Sequence, residues 1–457
     1  MRGGLLAWMS TGFLCSQPTF EHVVPAPGEQ YPVAVRQTVD GGYLLAGYTA
    51  PSGGYDQDGY LALLSPNGEE TSAHPLNSPT RTTLVDLDLA PTGFVAIAGR
   101  LDAISGQFET TLIGLDDAGA ERWSHVFPRA PDRDSQSFYD LAPTPTGGWI
   151  VAGLTSISAS STYYPLVIEF DEDGDVLWSH ELSSSSGGAV AIDATTDGGW
   201  ILATGADSSV VLRKIDQDGN ETWSTTIHPQ GTYAYPLYAS VGGLALTTDR
   251  GLVVAWSATY VNSRFGIMTG ETQLVKLDTT TGETVWIRSQ PNALATPRDF
   301  VNVVRASADG GVLIAGTESY TMGCGYGFSW CTVSTGLLER LDGSGASLWR
   351  RELGTTSQQI SLTDAWVTFD HGAIAVGRGT FSPDAGRLGD LYAVRTDSAG
   401  GVAPPSNLHR PPLEIIIPPL SYTAFRHKIW GLLARSRDYG FPAKERLRAN
   451  SAQNPPR

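Results

Sequence analysis

The motifs that usually announce chemistry are missing from this sequence. Its 457 residues contain no HExxH, no CxxC, no GxSxG and no Walker-type phosphate loop. These absences remove the common signatures of zinc hydrolases, thiol oxidoreductases, α/β-hydrolases and P-loop enzymes. Cysteine is scarce, at three residues. Cys324 and Cys331 share the loop GCGYGFSWC, and two thiols alone cannot complete a tetrahedral metal site. In an oxidising compartment they are a disulfide candidate, worth about 2–3 kcal/mol for so short a loop. The alternative is two unrelated thiols in a Gly-rich stretch, and no helix pattern follows that stretch to present a phosphate site. Charge is also sparse, at 17% of residues, and its balance of −17 excludes a nucleic-acid-binding body. Beyond the N-terminus no stretch is long and apolar enough to span a bilayer. No metal and no cofactor is expected.

Glycine, by contrast, is abundant at 52 residues, as many tight turns require. The chain repeats itself. Segments such as VDGGYLLAG, PTGGWIVAG, TDGGWILATG and ADGGVLIAG align on Gly42, Gly93, Gly148, Gly199, Gly251, Gly311 and Gly372, giving seven units of about 55 residues. A second turn follows in each unit, as in LRKIDQDG. Five of these turns carry a tryptophan four residues past their glycine, namely Trp123, Trp178, Trp223, Trp286 and Trp349. Asp-Gly and Asn-Gly between apolar runs mark hairpins, because these residues accept positive φ. Each unit therefore reads as four short antiparallel strands, and the fold class is all-β: a seven-bladed β-propeller of four-stranded blades. Unit seven lacks a tryptophan strand, whereas Phe20 precedes Gly42 by the spacing a blade tryptophan would have. The N-terminal strand is expected to complete the last blade and remove an open edge.

Residues 17–406 thus form the propeller. Residues 1–16 have a basic start and an apolar middle, as a short export signal would. From residue 408 onward, nine Lys and Arg face three Asp and Glu, so 407–457 is a basic tail. A basic amphipathic helix over part of it, or the N-terminus, offers a membrane contact; a tail docked on its own acidic body or left unstructured is the plainer alternative.

The DGGYxLAG and DxxGxxxW segments resemble bacterial β-propeller repeat proteins, from about Phe20 to Gly401. Most of that group are exported or cell-surface proteins without an assigned activity. The stretch VKLDTTTGETVW is also similar to the repeat of pyrroloquinoline-quinone dehydrogenases and of the propeller lipoprotein of outer-membrane assembly. Those families are typically eight-bladed, and the quinone enzymes use adjacent cysteines that this sequence does not have. The resemblance implies a fold and not a cofactor.

In an up-and-down blade the first and third turns share one face of the ring. Here both are tight, so the other face must carry the long variable loops. These hold Tyr163, Tyr164, Tyr233, Tyr235, Tyr260, Phe265, Tyr320, Tyr326, Phe328 and Trp330. Aromatic side chains on loops held by a rigid scaffold suit recognition, although each ring alone could simply pack its loop. Asp171 and Asp216 open turns that look like fragments of a calcium loop, and the hairpin reading accounts for both. The expected protein is an extracytoplasmic, monomeric, non-catalytic binding or scaffold propeller for a protein or glycan, with no nucleic-acid partner. The competing readings are a propeller enzyme with a central-channel site, quinone-dependent or a hydrolase or lyase, and a membrane-tethered envelope assembly factor.

Overall fold

The computed structural model describes residues 17–402, apart from 25–28, 51–57, 77–81, 91–92, 102–107, 117, 128–131, 134, 145, 158–161, 184–189, 207–208, 229–235, 263–266, 291–299, 324–329, 356–357 and 381–388. The expected export signal and basic tail lie outside the described residues. Twenty-eight strands form seven four-stranded antiparallel sheets, within 29–75, 82–127, 135–181, 190–227, 236–290, 300–353 and 360–396. The seventh sheet holds only three strands of its own. Its fourth is the N-terminal strand Phe20–Val24, paired antiparallel with Asp390–Thr396. The expected seven-bladed ring and its closure are both observed.

The turn glycines have a steric reason. At the second glycine of the first turn the backbone runs against the third strand. A Cβ on Gly148 would lie 1.9 Å from the carbonyl oxygen of Phe170, and one on Gly311 would lie 2.1 Å from that of Leu341. The residue before it takes positive φ. Where that residue is not glycine the strained conformation persists, at Arg250 (φ 65°) and His371 (φ 64°).

Hydrophobic burial lies between blades. Seven clusters of buried side chains each draw on two neighbouring blades, as where Trp256 of blade 5 meets Ile201 and Leu212 of blade 4. Among the described residues no blade has a core of its own, so the ring is the cooperative unit. The tryptophans join this packing from the outermost strands. A Cβ on Gly174 would come within 2.7 Å of the Trp123 ring, and one on Gly400 within 2.6 Å of Trp349. Phe20 occupies the corresponding position against Gly68, 2.7 Å from such a Cβ, which shows why the seventh blade needs no tryptophan. His125 and His180 lean on the same following turns beside Trp123 and Trp178, as packing partners.

Candidate binding face and central channel

Each propeller unit sends its first strand to the channel and turns its second hairpin toward the long-loop face. Six of the seven innermost strands carry a bulge at the same level, at Val33, Val85, Tyr139, Gly242, Asn302 and Thr363. An innermost strand is a sheet edge, and its free N–H groups need acceptors. Aspartates supply them across blade boundaries. Asp86 Oδ2 accepts Leu141 N at 3.2 Å, Asp140 Oδ2 accepts Ile192 N at 2.7 Å, and Asp193 Oδ2 accepts Leu246 N at 2.8 Å. Asp364 Oδ2 accepts Val35 N at 2.9 Å, which joins the last blade to the first.

Two arginines bind this acidic belt. Arg36, 1% exposed, donates to Asp364 (2.7 Å) and Asp88 (3.2 Å) and lies 3.5 Å from Asp86. Arg305 donates to the other oxygen of Asp364 at 3.0 Å. Both guanidiniums lie over the Trp366 ring, at 4.7 and 5.7 Å from its centroid. Arg305 borders two vestibules, one of about 260 Å³ toward the long loops and one of about 410 Å³ toward the tight turns. The channel carboxylates are thus spent on blade contacts. The turn aspartates are spent locally: Asp171 Oδ1 accepts Asp173 N and Asp175 N, and Asp216 Oδ1 accepts Asp218 N and Asn220 N, as the hairpin reading requires.

Enclosure in the channel raises the carboxyl of Asp86 well above the ordinary range, overcoming the pull of Arg36, with Asp140 adding to the rise. Burial also raises Asp140 and Asp193, against the N–H groups that favour their charged forms. Groups raised on folding contribute stability that is complete below their unfolded values and lost as pH climbs through their folded ones. At the tight turns the sign reverses. The Lys214 and Thr195 hydrogen bonds hold Asp197 down at about 2, so its contribution is present above the ordinary carboxylate value and lost as pH falls toward about 2. Thermal stability is therefore expected to rise as pH drops through the raised range of the channel carboxyls toward the ordinary carboxylate value, and to turn down as it falls on toward about 2. A differential scanning profile that is flat above the ordinary carboxylate value would place the channel aspartates among ordinary surface carboxylates.

Several residues expected on loops stand on strands instead. Tyr163 and Tyr164 belong to Thr162–Phe170, Tyr260 to Gly251–Asn262, Tyr320 to Val312–Gly323, and Trp330 and Cys331 to Trp330–Leu341. Their stretches are rich in β-branched and aromatic residues, and the ladder simply continues through them. Tyr163 is exposed, while Tyr164 is half-buried with Arg133 4.8 Å over its ring. Tyr233, Tyr235, Phe265, Tyr326, Phe328 and Cys324 lie outside the described residues. Further tyrosines reach this face without having been anticipated: Tyr139 at a channel bulge, and Tyr31 stacked on Tyr48 at 4.7 Å with Arg378 3.8 Å over it. A bulge in an innermost strand is the signal for Tyr139, and it is visible only through pairing register.

The hairpins themselves differ. In blades 5 and 6 the second and third strands each run to 12 residues, against seven in blade 4. At about 3.3 Å per residue, two neighbouring arms extend roughly 16 Å further than their counterpart.

Repeats of this length, spacing and blade geometry match a family model described as outer membrane protein assembly factor BamB, over residues 108–258 and, overlapping, 166–368. The chain belongs to this family of propeller repeats. No curated protein matches the chain. Solved structures similar in fold include the Dos1 propeller (13% identity, TM-score 0.45, covering 86% of this chain and 96% of that one). Another is a luciferin-regenerating enzyme (9%, 0.38, 82% and 95%). A third is prolyl oligopeptidase B from Galerina marginata (10%, 0.44, 83% of this chain and half of that one). Within the BamB-like repeats the blade number observed here is seven.

Proposed function

We propose that this BamB-like propeller is an exported, non-catalytic binding module that docks a partner protein on its long-loop face. The observation that carries the reading is the pair of extended arms on blades 5 and 6, adjacent in the ring and bearing Tyr260, Tyr320 and Trp330 in their sequence. Across the ring the same face offers Tyr163 and the arginine-topped Tyr164 and Tyr31. Tyrosine, tryptophan and arginine are the residues that dominate protein interfaces. The family match supports an extracytoplasmic setting, and a role in envelope assembly is compatible with a docking module.

The arms can be trimmed without touching the ring. Tyr260 pairs with Thr269 and Tyr320 with Val333, so replacing 261–268 and 321–332 by Asn-Gly turns preserves every blade. A photo-crosslinking residue at 320 is expected to capture a discrete partner in the source cell, and one at 172 on the tight-turn face is not. Trimming should abolish capture by a probe at 163 while leaving the melting temperature within a few degrees. Equal capture from 320 and 172, or capture that survives trimming, would overturn the reading.

A further inference from the structure

The geometry points to a carbohydrate-binding cleft between blades 4 and 5, on the tight-turn face and independent of the arms. At most blade boundaries two devices close this space. The turn of the following blade seats its glycine on the preceding tryptophan, and a long side chain two residues past the tryptophan bridges to that turn. His125 and His180 rest against Gly174 and Gly219, while Arg288 donates to Gly345 O at 3.3 Å and Arg351 donates to Gly400 O at 2.5 Å. At two of these boundaries the indole N–H is also taken up, by Gly343 O for Trp286 (3.1 Å) and by Ser398 O for Trp349 (3.0 Å), whereas among the described residues that of Trp178 is not.

Both devices are missing after Trp223. The bridging position is Thr225, too short to cross. The turn of blade 5 is one residue longer than the others, spanning 278–282, and a Cβ on Gly282 would meet nothing within 4 Å. The turn hooks instead onto its own blade, because Thr279 donates to Arg250 O through its N–H (3.1 Å) and its hydroxyl (2.9 Å). Among the described residues the Trp223 indole N–H has no hydrogen-bond partner. The result is a cleft of about 780 Å³ lined by Trp223, Arg250, Asp218, Gln217 and Thr280, whereas the cavity beside Trp123 measures about 230 Å³. Arg250 holds the positive φ that glycine takes in the matching turns of blades 3 and 4, as His371 does in blade 7, a conformation costing about 1 kcal/mol.

The lining selects the ligand class. One face of Trp223 packs on the core between the two blades, which leaves the uncovered part of the indole as a flat apolar platform. Its π face attracts the weakly positive C–H groups of a pyranose ring. Around it stand planar hydrogen-bonding groups suited to vicinal hydroxyls: the Asp218 carboxylate and the Arg250 guanidinium, both bidentate, and the oxygen of the Gln217 amide, whose nitrogen already donates to Asp197 O at 3.3 Å. Lys214 is neutralised by Asp197 and Asp216 is occupied by its own turn. The remaining charges, Arg250 and Asp218, oppose each other and disfavour a strongly anionic or cationic guest. A neutral sugar fits, and the volume holds two or three rings.

The test uses the intact protein with neutral trisaccharides of glucose, N-acetylglucosamine, mannose and galactose, followed by tryptophan fluorescence and calorimetry. At least one is expected to bind. Trp223→Ala should weaken it more than tenfold. Arg250→Gly should weaken it about tenfold while holding or raising the melting temperature, since glycine relieves the strained turn. Thr225→Arg, which restores the bridge seen at Arg288 and Arg351, should abolish binding and leave the fold intact. Binding to none of the sugars, binding undiminished in both Arg250→Gly and Thr225→Arg, or binding of triarginine or inorganic phosphate in place of sugar would each overturn the assignment.

Discussion

Replacing Arg36 with methionine is expected to cost about 3–5 kcal/mol in urea unfolding, the penalty for removing one partner of a buried ion pair. Methionine keeps most of the side-chain length, so the loss is electrostatic. Arg36 is the hub of the channel: its guanidinium serves Asp364, Asp88 and Asp86 and donates to Val35 O, and it stacks on Trp366. Without it, Asp364 at 4% exposure keeps, among the described residues, Arg305 alone as a cation while still bridging to Val35 N. Asp86, whose carboxyl burial already raises, then has an outlet, because it can take up a proton. The variant should therefore regain stability in mildly acid solution more steeply than the parent does. Adding Asp364→Asn to Arg36→Met should recover part of the loss, since the amide oxygen can still accept Val35 N without a charge to compensate. An unchanged urea midpoint in Arg36→Met would mean that water screens the belt and that the ring is held by apolar packing alone.

The fold was legible because it is written in short-range signals repeated seven times. Turn glycines, apolar runs and tryptophans recur at fixed offsets, and even the closure of the ring showed in the spacing from Phe20 to Gly42. The belt was not legible, since its members meet only through the ring. Arg36 and Asp364 are 328 positions apart, and nothing local marks Asp86, Asp140 and Asp364 as one layer. The pattern emerges when the first strands are superposed by pairing register, for these three aspartates all sit just after a bulge. The cleft beside Trp223 was hidden for a different reason. The extra residue of the blade 5 turn lies between Asp278 and Gly282, so aligning on glycine and tryptophan conceals it. The arms on blades 5 and 6 fall between the two cases: their aromatic residues stand out in the sequence, but their strand-forming stretches look like loops because their length exceeds a blade's needs.

Removing residues 1–24 should break the ring open, the largest effect expected from any change away from the channel. The last blade would lose its outermost strand and expose the edge of Asp390–Thr396, a free template for pairing with another chain. Phe20 alone, 7% exposed and edge-on to Tyr43 at 5.9 Å, should cost about 3–5 kcal/mol when replaced by alanine. Gln17 adds a polar stitch: its N–H donates to Asp370, its amide donates to Gly41 O, and its backbone oxygen accepts from Arg395, a fully buried side chain that also donates to Tyr43. Losing Gln17 takes one hydrogen bond each from Asp370 and Arg395 of the last blade and from Gln37 and Tyr43 of the first, a cost that packing cannot recover. The shortened chain is therefore expected to lose its single cooperative thermal transition and to associate, as judged by scanning calorimetry and light scattering. Adding a synthetic peptide of residues 17–24 in excess should restore both the transition and the monomer, because the edge and its phenylalanine pocket remain complementary to it. A shortened chain that melts at the parental temperature as a monomer would show that the strand decorates a ring already closed by the contacts of blades 1 and 7.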